Sequence, residues 1–227
     1  MGLGAKLKRF ASWVAPNTVV VGGRLDGASA VALTFDDGPH PEGTPRILDA
    51  LDTHSVRATF FLQGDVADCN RSLVREIVRR GHQIGNHGYA HLDARHVSRE
   101  RYVSDVLKCQ SILEDITGAQ LQRNFRPPFG LVAMSSTLAL IAHKFRFVFW
   151  SLDSHDSFLA DANSLVAYIQ SQRVPPGSIL LFHDDYAHTA DALPRLLTDF
   201  RQRDLKIMLF DELKLNLAQP HSLPSTI

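Results

Sequence analysis

Three features of this 227-residue sequence predict an α/β protein with a mainly parallel sheet. Short apolar runs recur along the chain, amphipathic stretches of helical period separate them, and polar residues gather where the apolar runs end. Strands of four or five residues that alternate with longer helices imply crossover units whose strands all point the same way. Periodicity leaves open whether the sheet closes into a barrel or stays open and doubly wound.

Taken in order, residues 31–35 read as a buried strand. Thr44 and Pro45 offer an N-cap and a first-turn proline for a helix burying Ile47, Leu48 and Leu51. Residues 58–62 form the next strand, and Asn70 caps a helix carrying Leu73, Ile77 and Val78 that ends at Gly81. Residues 82–86 are a third strand. A long helix from about Ser98 buries Val103, Val106, Leu107, Ile112 and Leu113 and stops at Gly118. Later strands fall at 125–126, 147–150, 179–182 and 206–210, with helices near 137–143, 164–172 and 189–203 between them.

At 44% hydrophobic residues the chain can bury a large core, and one domain is the simplest organisation. It is expected over residues 29–214, after an extension at 1–28 and before a loosely attached tail at 215–227. Lys plus Arg and Asp plus Glu both number 24, so no overall charge points to nucleic acid or an anionic membrane surface. No run reaches the roughly 18 apolar residues a membrane span needs. Cys69 and Cys109 lie far apart and read as free thiols. The apolar run after Lys6, Lys8 and Arg9 is short and interrupted by Pro16 and Asn17, which makes a poor signal peptide; a cytoplasmic monomer is expected.

Five polar clusters follow apolar strand runs: Asp36-Asp37-Gly38-Pro39, Asn86-His87, Arg126-Pro127-Pro128, Asp153 and His183-Asp184. In parallel α/β folds the C-terminal strand ends share one rim, where active sites sit. Asp36 and Asp37 are adjacent on an extended segment, so their carboxylates face opposite ways and can take different partners. His87 and His91 are four apart, a spacing that on a helical turn would put both rings on one face. Two histidines and a carboxylate make a three-ligand site that leaves a position for water, with zinc the first candidate and cobalt, nickel or manganese as alternatives. Arg126 can orient a carboxylate through a bidentate pair. His183 ends the most apolar strand, with Asp153 and Asp156 as the carboxylates available to set its proton affinity.

In this order, over residues 31–210, the clusters resemble the polysaccharide deacetylases of the NodB-homology group, carbohydrate esterase family 4. The resemblance implies a distorted (β/α) barrel of about seven parallel strands. It implies removal of acetyl groups from an N-acetylglucosamine-containing oligo- or polysaccharide, chitooligosaccharide or peptidoglycan, by one divalent metal ion. By the same resemblance Asp36 is the general base, Asp37, His87 and His91 hold the metal, and Arg126 holds the base. The backbone N–H of Phe129 helps stabilise the oxyanion, Asp153 tunes the acid His183, and Leu181 lines the pocket for the acetyl methyl. Three positions depart from the family pattern. Gly88 stands where Ser or Thr is usual, removing a hydroxyl that braces the metal loop; Ser157 replaces a tryptophan of the pocket wall; Phe129 replaces a tyrosine. Deacylation of a non-carbohydrate amide and an inactive carbohydrate-binding homologue are the competing readings, the latter opposed by the intact acid, base and ligand set.

Overall fold

A computed structural model describes residues 18–20 and 29–213. In it the strands β1 (Val19–Val20), β2 (Ala30–Asp36), β3 (Thr59–Leu62), β4 (Gln83–Asn86), β5 (Asn124–Phe125), β6 (Arg146–Val148), β7 (Leu152–Asp153) and β8 (Ile179–His183) lie side by side in the order β1-β6-β5-β4-β3-β2-β8-β7. Every pairing is parallel. A short β9 (Lys206–Ile207) pairs with the start of β2. The sheet curls into a distorted (β/α) barrel, which decides the alternative that periodicity left open. Its seam is crossed by residues 149–151: Phe149 N–H donates to Val20 of β1 (2.7 Å) and Ser151 N–H to Ile179 of β8 (3.0 Å).

Helices pack around the outside: α1 (Gly43–Thr53), α2 (Gly64–Cys69), α3 (Arg71–Arg79), α4 (Arg99–Thr117), α5 (Met134–Ala142), α6 (Ala162–Ser171) and α7 (Ala187–Gln202). The two-residue alternation of strand side chains divides each strand between two cores. On β2, Val31, Leu33 and Phe35 face the helices, where Phe35 stacks on Phe60 at 5.1 Å and meets Phe182 at 5.8 Å. Each such side chain contributes about 1.5–3 kcal/mol by leaving water. Ala30 and Ala32, on the other face, join Phe61, Val148, Ile179 and Phe210 to fill the lower barrel. The next residues inward on β2 and β8 are Thr34, Asp36, Leu181 and His183. One strand pattern thus builds an apolar floor and a polar rim.

The elements foreseen in the sequence are present, with three additions and two expected side-chain caps that do not form. Helix α2 is too short to show a period. Strand β7 has only two residues. Strand β1 falls within residues 1–28, expected to lie outside the domain, yet Val19 and Val20 are buried and paired with Phe147 and Val148. Thr44 and Asn70 do not cap through their side chains. His40 does the work at α1, its Nδ1 accepting the N–H groups of Glu42 (3.3 Å) and Gly43 (3.2 Å). The expected tail at 215–227 lies outside the described residues.

Candidate active site

The site begins where β2 ends. Asp36 still obeys the strand alternation and turns into the barrel, 3% exposed. Asp37 sits at φ 73°, outside the strand, so its carboxylate leaves in a different direction. Gly38 follows, joined to Pro39 by a cis bond. A methyl group at Gly38 would lie 2.0 Å from Asp184 Oδ2, because the buried Asp184 side chain packs directly beneath this loop. Thr44 lies inside the first turn of α1, past the N-cap position at Glu42, where its hydroxyl accepts the His40 N–H (2.7 Å) and donates to Asp184 Oδ2. Burial pushes the Asp184 carboxyl up to about 7.

His87 and His91 follow β4 in an irregular loop, with Gly88 at φ 81° and His91 at φ 50°. The two rings therefore converge through loop geometry and not through a helical turn, contrary to the reading of their spacing. His87 Nδ1 lies 2.7 Å from the carbonyl of Arg126, which fixes the Nδ1–H tautomer and leaves the Nε2 lone pair pointing at Asp37. Asp37 Oδ1 is 3.2 Å from His87 Nε2 and 3.2 Å from His91 Nε2. Tetrahedral coordination at about 2.0–2.1 Å separates neighbouring ligand atoms by about 3.3 Å. Both measured separations match that spacing, and the three donor atoms all lie within 4.8 Å of one another. They form the one cluster of this kind among the described residues. Burial works against the Asp37 carboxylate, but hydrogen bonds and charge from His87 and His91 outweigh it and hold the group well below the usual range. Burial likewise opposes a charged His87, and the Asp36 and Asp37 carboxylates overcome it.

Arg126 is fully buried under the rim. One guanidinium nitrogen donates both to Asp36 Oδ1 (2.7 Å) and to Thr34 Oγ1 (2.7 Å). Its other N–H groups go to the carbonyls of Val148 (3.2 Å) and Phe149 (3.4 Å). The expected bidentate pair is therefore a single bond, because the rest of the fork is committed to the backbone of β6 and the segment after it. Phe61 lies below, its ring centre 4.2 Å from the guanidinium carbon.

Across from Asp37, His183 Nε2 stands 4.0 Å from Asp37 Oδ2. Its Nδ1 lies 2.7 Å from Asp156 Oδ1, and Asp156 Oδ2 accepts the His183 N–H (2.7 Å) and the Thr189 hydroxyl (2.9 Å). This corrects the assignment of Asp153. The β7–β8 ladder pairs Asp153 with Leu181, two residues short of His183. Its Oδ1 accepts the His155 N–H at 2.8 Å and shapes the turn that carries Asp156 onward. Burial lowers the proton affinity of His183, but Asp156 more than compensates, with help from Asp36 and Asp37, and the pKa rises to about 9.

Leu181 is buried two residues before His183 on the same face of β8. Phe129 occupies a tight turn at φ 58°, in which the turn's hydrogen bonds come from the N–H groups of Gly130 and Leu131. Its ring packs edge-on against His91 at 4.4 Å and is 60% exposed. The structure thus brings together Asp36, Asp37, His87, His91, Arg126 and His183, sets Phe129 and Leu181 at the edge, and leaves Asp153 outside. Reading the sequence kept Asp156 only as an alternative to Asp153 and placed Asp184 in a rim cluster without a role in the site. Their one sequence signal was proximity to rim clusters.

A parallel barrel that gathers buried carboxylates, imidazoles and a three-donor cluster on its C-terminal rim holds the groups a hydrolase would use. Residues 24–149 match the family described as polysaccharide deacetylase, and the chain belongs to it. It is 32% identical over 201 residues to a peptidoglycan-N-acetylglucosamine deacetylase of Bacillus cereus, covering 87% of this chain and 72% of that protein. It is 33% identical to a chitooligosaccharide deacetylase of Bradyrhizobium, covering 80% and 81% of the two chains. A Listeria monocytogenes peptidoglycan-N-acetylglucosamine deacetylase, 33% identical over 81% of this chain, is much longer, and the match spans 38% of it. Among solved structures, a crystal structure of a peptidoglycan N-acetylglucosamine deacetylase superimposes with a TM-score of 0.82 at 31% identity, covering 89% of this chain and 95% of the other. A family 4 pseudoenzyme from Bacillus anthracis superimposes at 0.79 with 26% identity, covering 87% and 69%.

Proposed function

We propose that the protein hydrolyses the acetamido group of an N-acetylglucosamine-containing oligo- or polysaccharide, chitooligosaccharide or peptidoglycan, with one divalent metal held by Asp37, His87 and His91. The observation that carries this reading is the placement of a candidate base and acid around the three donors. Asp36 Oδ2 is 3.8 Å from His87 Nε2, and His183 Nε2 is 4.0 Å from Asp37 Oδ2. The metal, zinc by preference for this donor set, supplies Lewis acidity that polarises the amide carbonyl and makes water acidic near neutral pH.

The chain's own residues do the rest. Asp36, fixed by Arg126, accepts a proton as water attacks the carbonyl carbon. As negative charge grows on the carbonyl oxygen, the Phe129 N–H is the donor assigned to it, and such donors are worth about 3 kcal/mol of barrier. His183, held by Asp156, gives its Nε2 proton to the amide nitrogen as the C–N bond breaks. Acetic acid and the amine leave, the acid's proton passing to the amine to give acetate and ammonium, and the proton on Asp36 balances the one lost by His183.

The test is acetate release from N-acetylglucosamine oligomers and from peptidoglycan fragments. Activity should vanish with a chelator, return with zinc or cobalt, and be absent in Asp36→Asn. Metal binding without acetate release from any such substrate would sink the reading. It would favour the inactive carbohydrate-binding alternative, for which the superimposed pseudoenzyme is a precedent. Release of acyl groups only from non-carbohydrate amides would keep the chemistry and change the substrate.

A further inference from the structure

We propose that Asp105 on α4 is a positioning residue that holds the loop from His87 to His91 in its metal-binding shape. The proposal deepens the metal site above and rests on it. Asp105 accepts the N–H groups of Tyr89 (2.7 Å) and Ala90 (3.1 Å), the two residues immediately before His91. Among the described residues these are the bonds those two groups make.

The start of the loop is tied to the sheet: His87 N–H donates to Leu62 (3.0 Å) and Gly88 N–H to Asn86 Oδ1 (2.8 Å). Its Gly88 and Tyr89 carbonyls accept from the first amides of α2, at 2.8 and 3.0 Å. The His91 end has Asp105. This matters because His91 holds a left-handed φ of 50°, a conformation that a non-glycine residue keeps only when its surroundings enforce it. One turn further along α4, Lys108 Nζ lies 3.3 Å from the centre of the Tyr89 ring, so a single helix face grips both backbone and side chain. Gly88 completes the arrangement: at φ 81°, a methyl group there would lie 3.0 Å from Asp105 Oδ2. The residue that lacks a bracing hydroxyl thus makes room for a carboxylate that braces instead.

The test compares the wild-type protein with Asp105→Ala, Asp105→Asn and Asp105→Glu. Three measurements are made: zinc affinity by competition with a chromophoric chelator, amide hydrogen exchange at Tyr89 and Ala90, and thermal unfolding of the metal-free protein. Asp105→Ala should lose protection at both amides and bind zinc about 10–100-fold more weakly, the usual consequence of removing an outer partner of a ligand. Asp105→Glu should recover part of both, and Asp105→Asn should fall between. The proposal is overturned if folded Asp105→Ala binds zinc with wild-type affinity, or if the two amides stay protected. It is equally overturned if its only change is a lower unfolding temperature. Wild-type protein that binds no zinc would instead refute the metal reading, while the exchange measurement would still report on the brace.

Discussion

Two carboxylates three residues apart, Asp153 and Asp156, meet different fates because one is still in a strand ladder and the other has left it. Asp153 is held opposite Leu181 by its pairing, whereas the turn after it carries Asp156 beneath His183. Asp156→Ala should therefore reduce kcat by about 10²–10⁴-fold, the range for disabling a general acid, while Asp153→Ala should act mainly through loop stability. The pH profile separates them further. The His183 pKa is raised to about 9 from 6.5, so the acid is protonated below that value and is lost as pH rises through it. Wild-type kcat should decline on an alkaline limb near pH 9. Asp156→Asn removes the charge and leaves burial, which lowers a histidine pKa, so the limb should move to lower pH. The same shift stabilises the fold fully below pH 6.5 and progressively less up to about 9. An unchanged limb in Asp156→Asn would assign it to another group.

At the scale of elements, the rim loops are set by contacts from neighbouring segments. Gly43 lies so close to the backbone oxygen of Asp184 that a methyl group would sit 1.9 Å from it, and backbone cannot swing aside as a side chain can. Gly43→Ala should destabilise by at least about 1–3 kcal/mol, the usual range for overpacking, in equilibrium denaturant unfolding. At the opposite end of the barrel, Asp211 accepts from Asn124 of β5 (3.1 Å), and also from Gln83 of β4 and Arg146 of β6. It ties the segment after β9 across three strand starts while Phe210 meets Phe61 inside, at 6.0 Å. Asp211→Ala should cost about 1–3 kcal/mol, because three donors lose their acceptor at once. A change within 0.5 kcal/mol would show that water replaces it.

For the whole molecule, the proposed metal site would link stability to a ligand. A ligand that binds the folded state at 100 times its Kd stabilises by about 2.7 kcal/mol. For a domain of this size each kcal/mol raises Tm by about 2–4 °C, so saturating zinc should add about 5–11 °C. Asp37→Ala should abolish this gain in scanning calorimetry. A gain that persists in that variant would place the stabilising metal elsewhere.

The alternation of apolar strands and amphipathic helices determined the fold class. The residues placed where each strand run ends determined which side chains reach the rim, because both follow from periods the chain carries locally. Neither closure of the sheet nor the partners of the rim residues are local. The seam depends on Val19 and Val20, whose short run gave no periodic signal, and on a segment that crosses from β6 to β7. The spacing of His87 and His91 suggested a helix, but an irregular loop held from three sides brings their rings together. Asp156 and Asp105 lie 27 and 16 or fewer residues from the groups they hold, in separate elements. Sequence set out the rim groups; tertiary packing, which alone brings distant hydrogen-bond partners within 3 Å, decided how they are aimed.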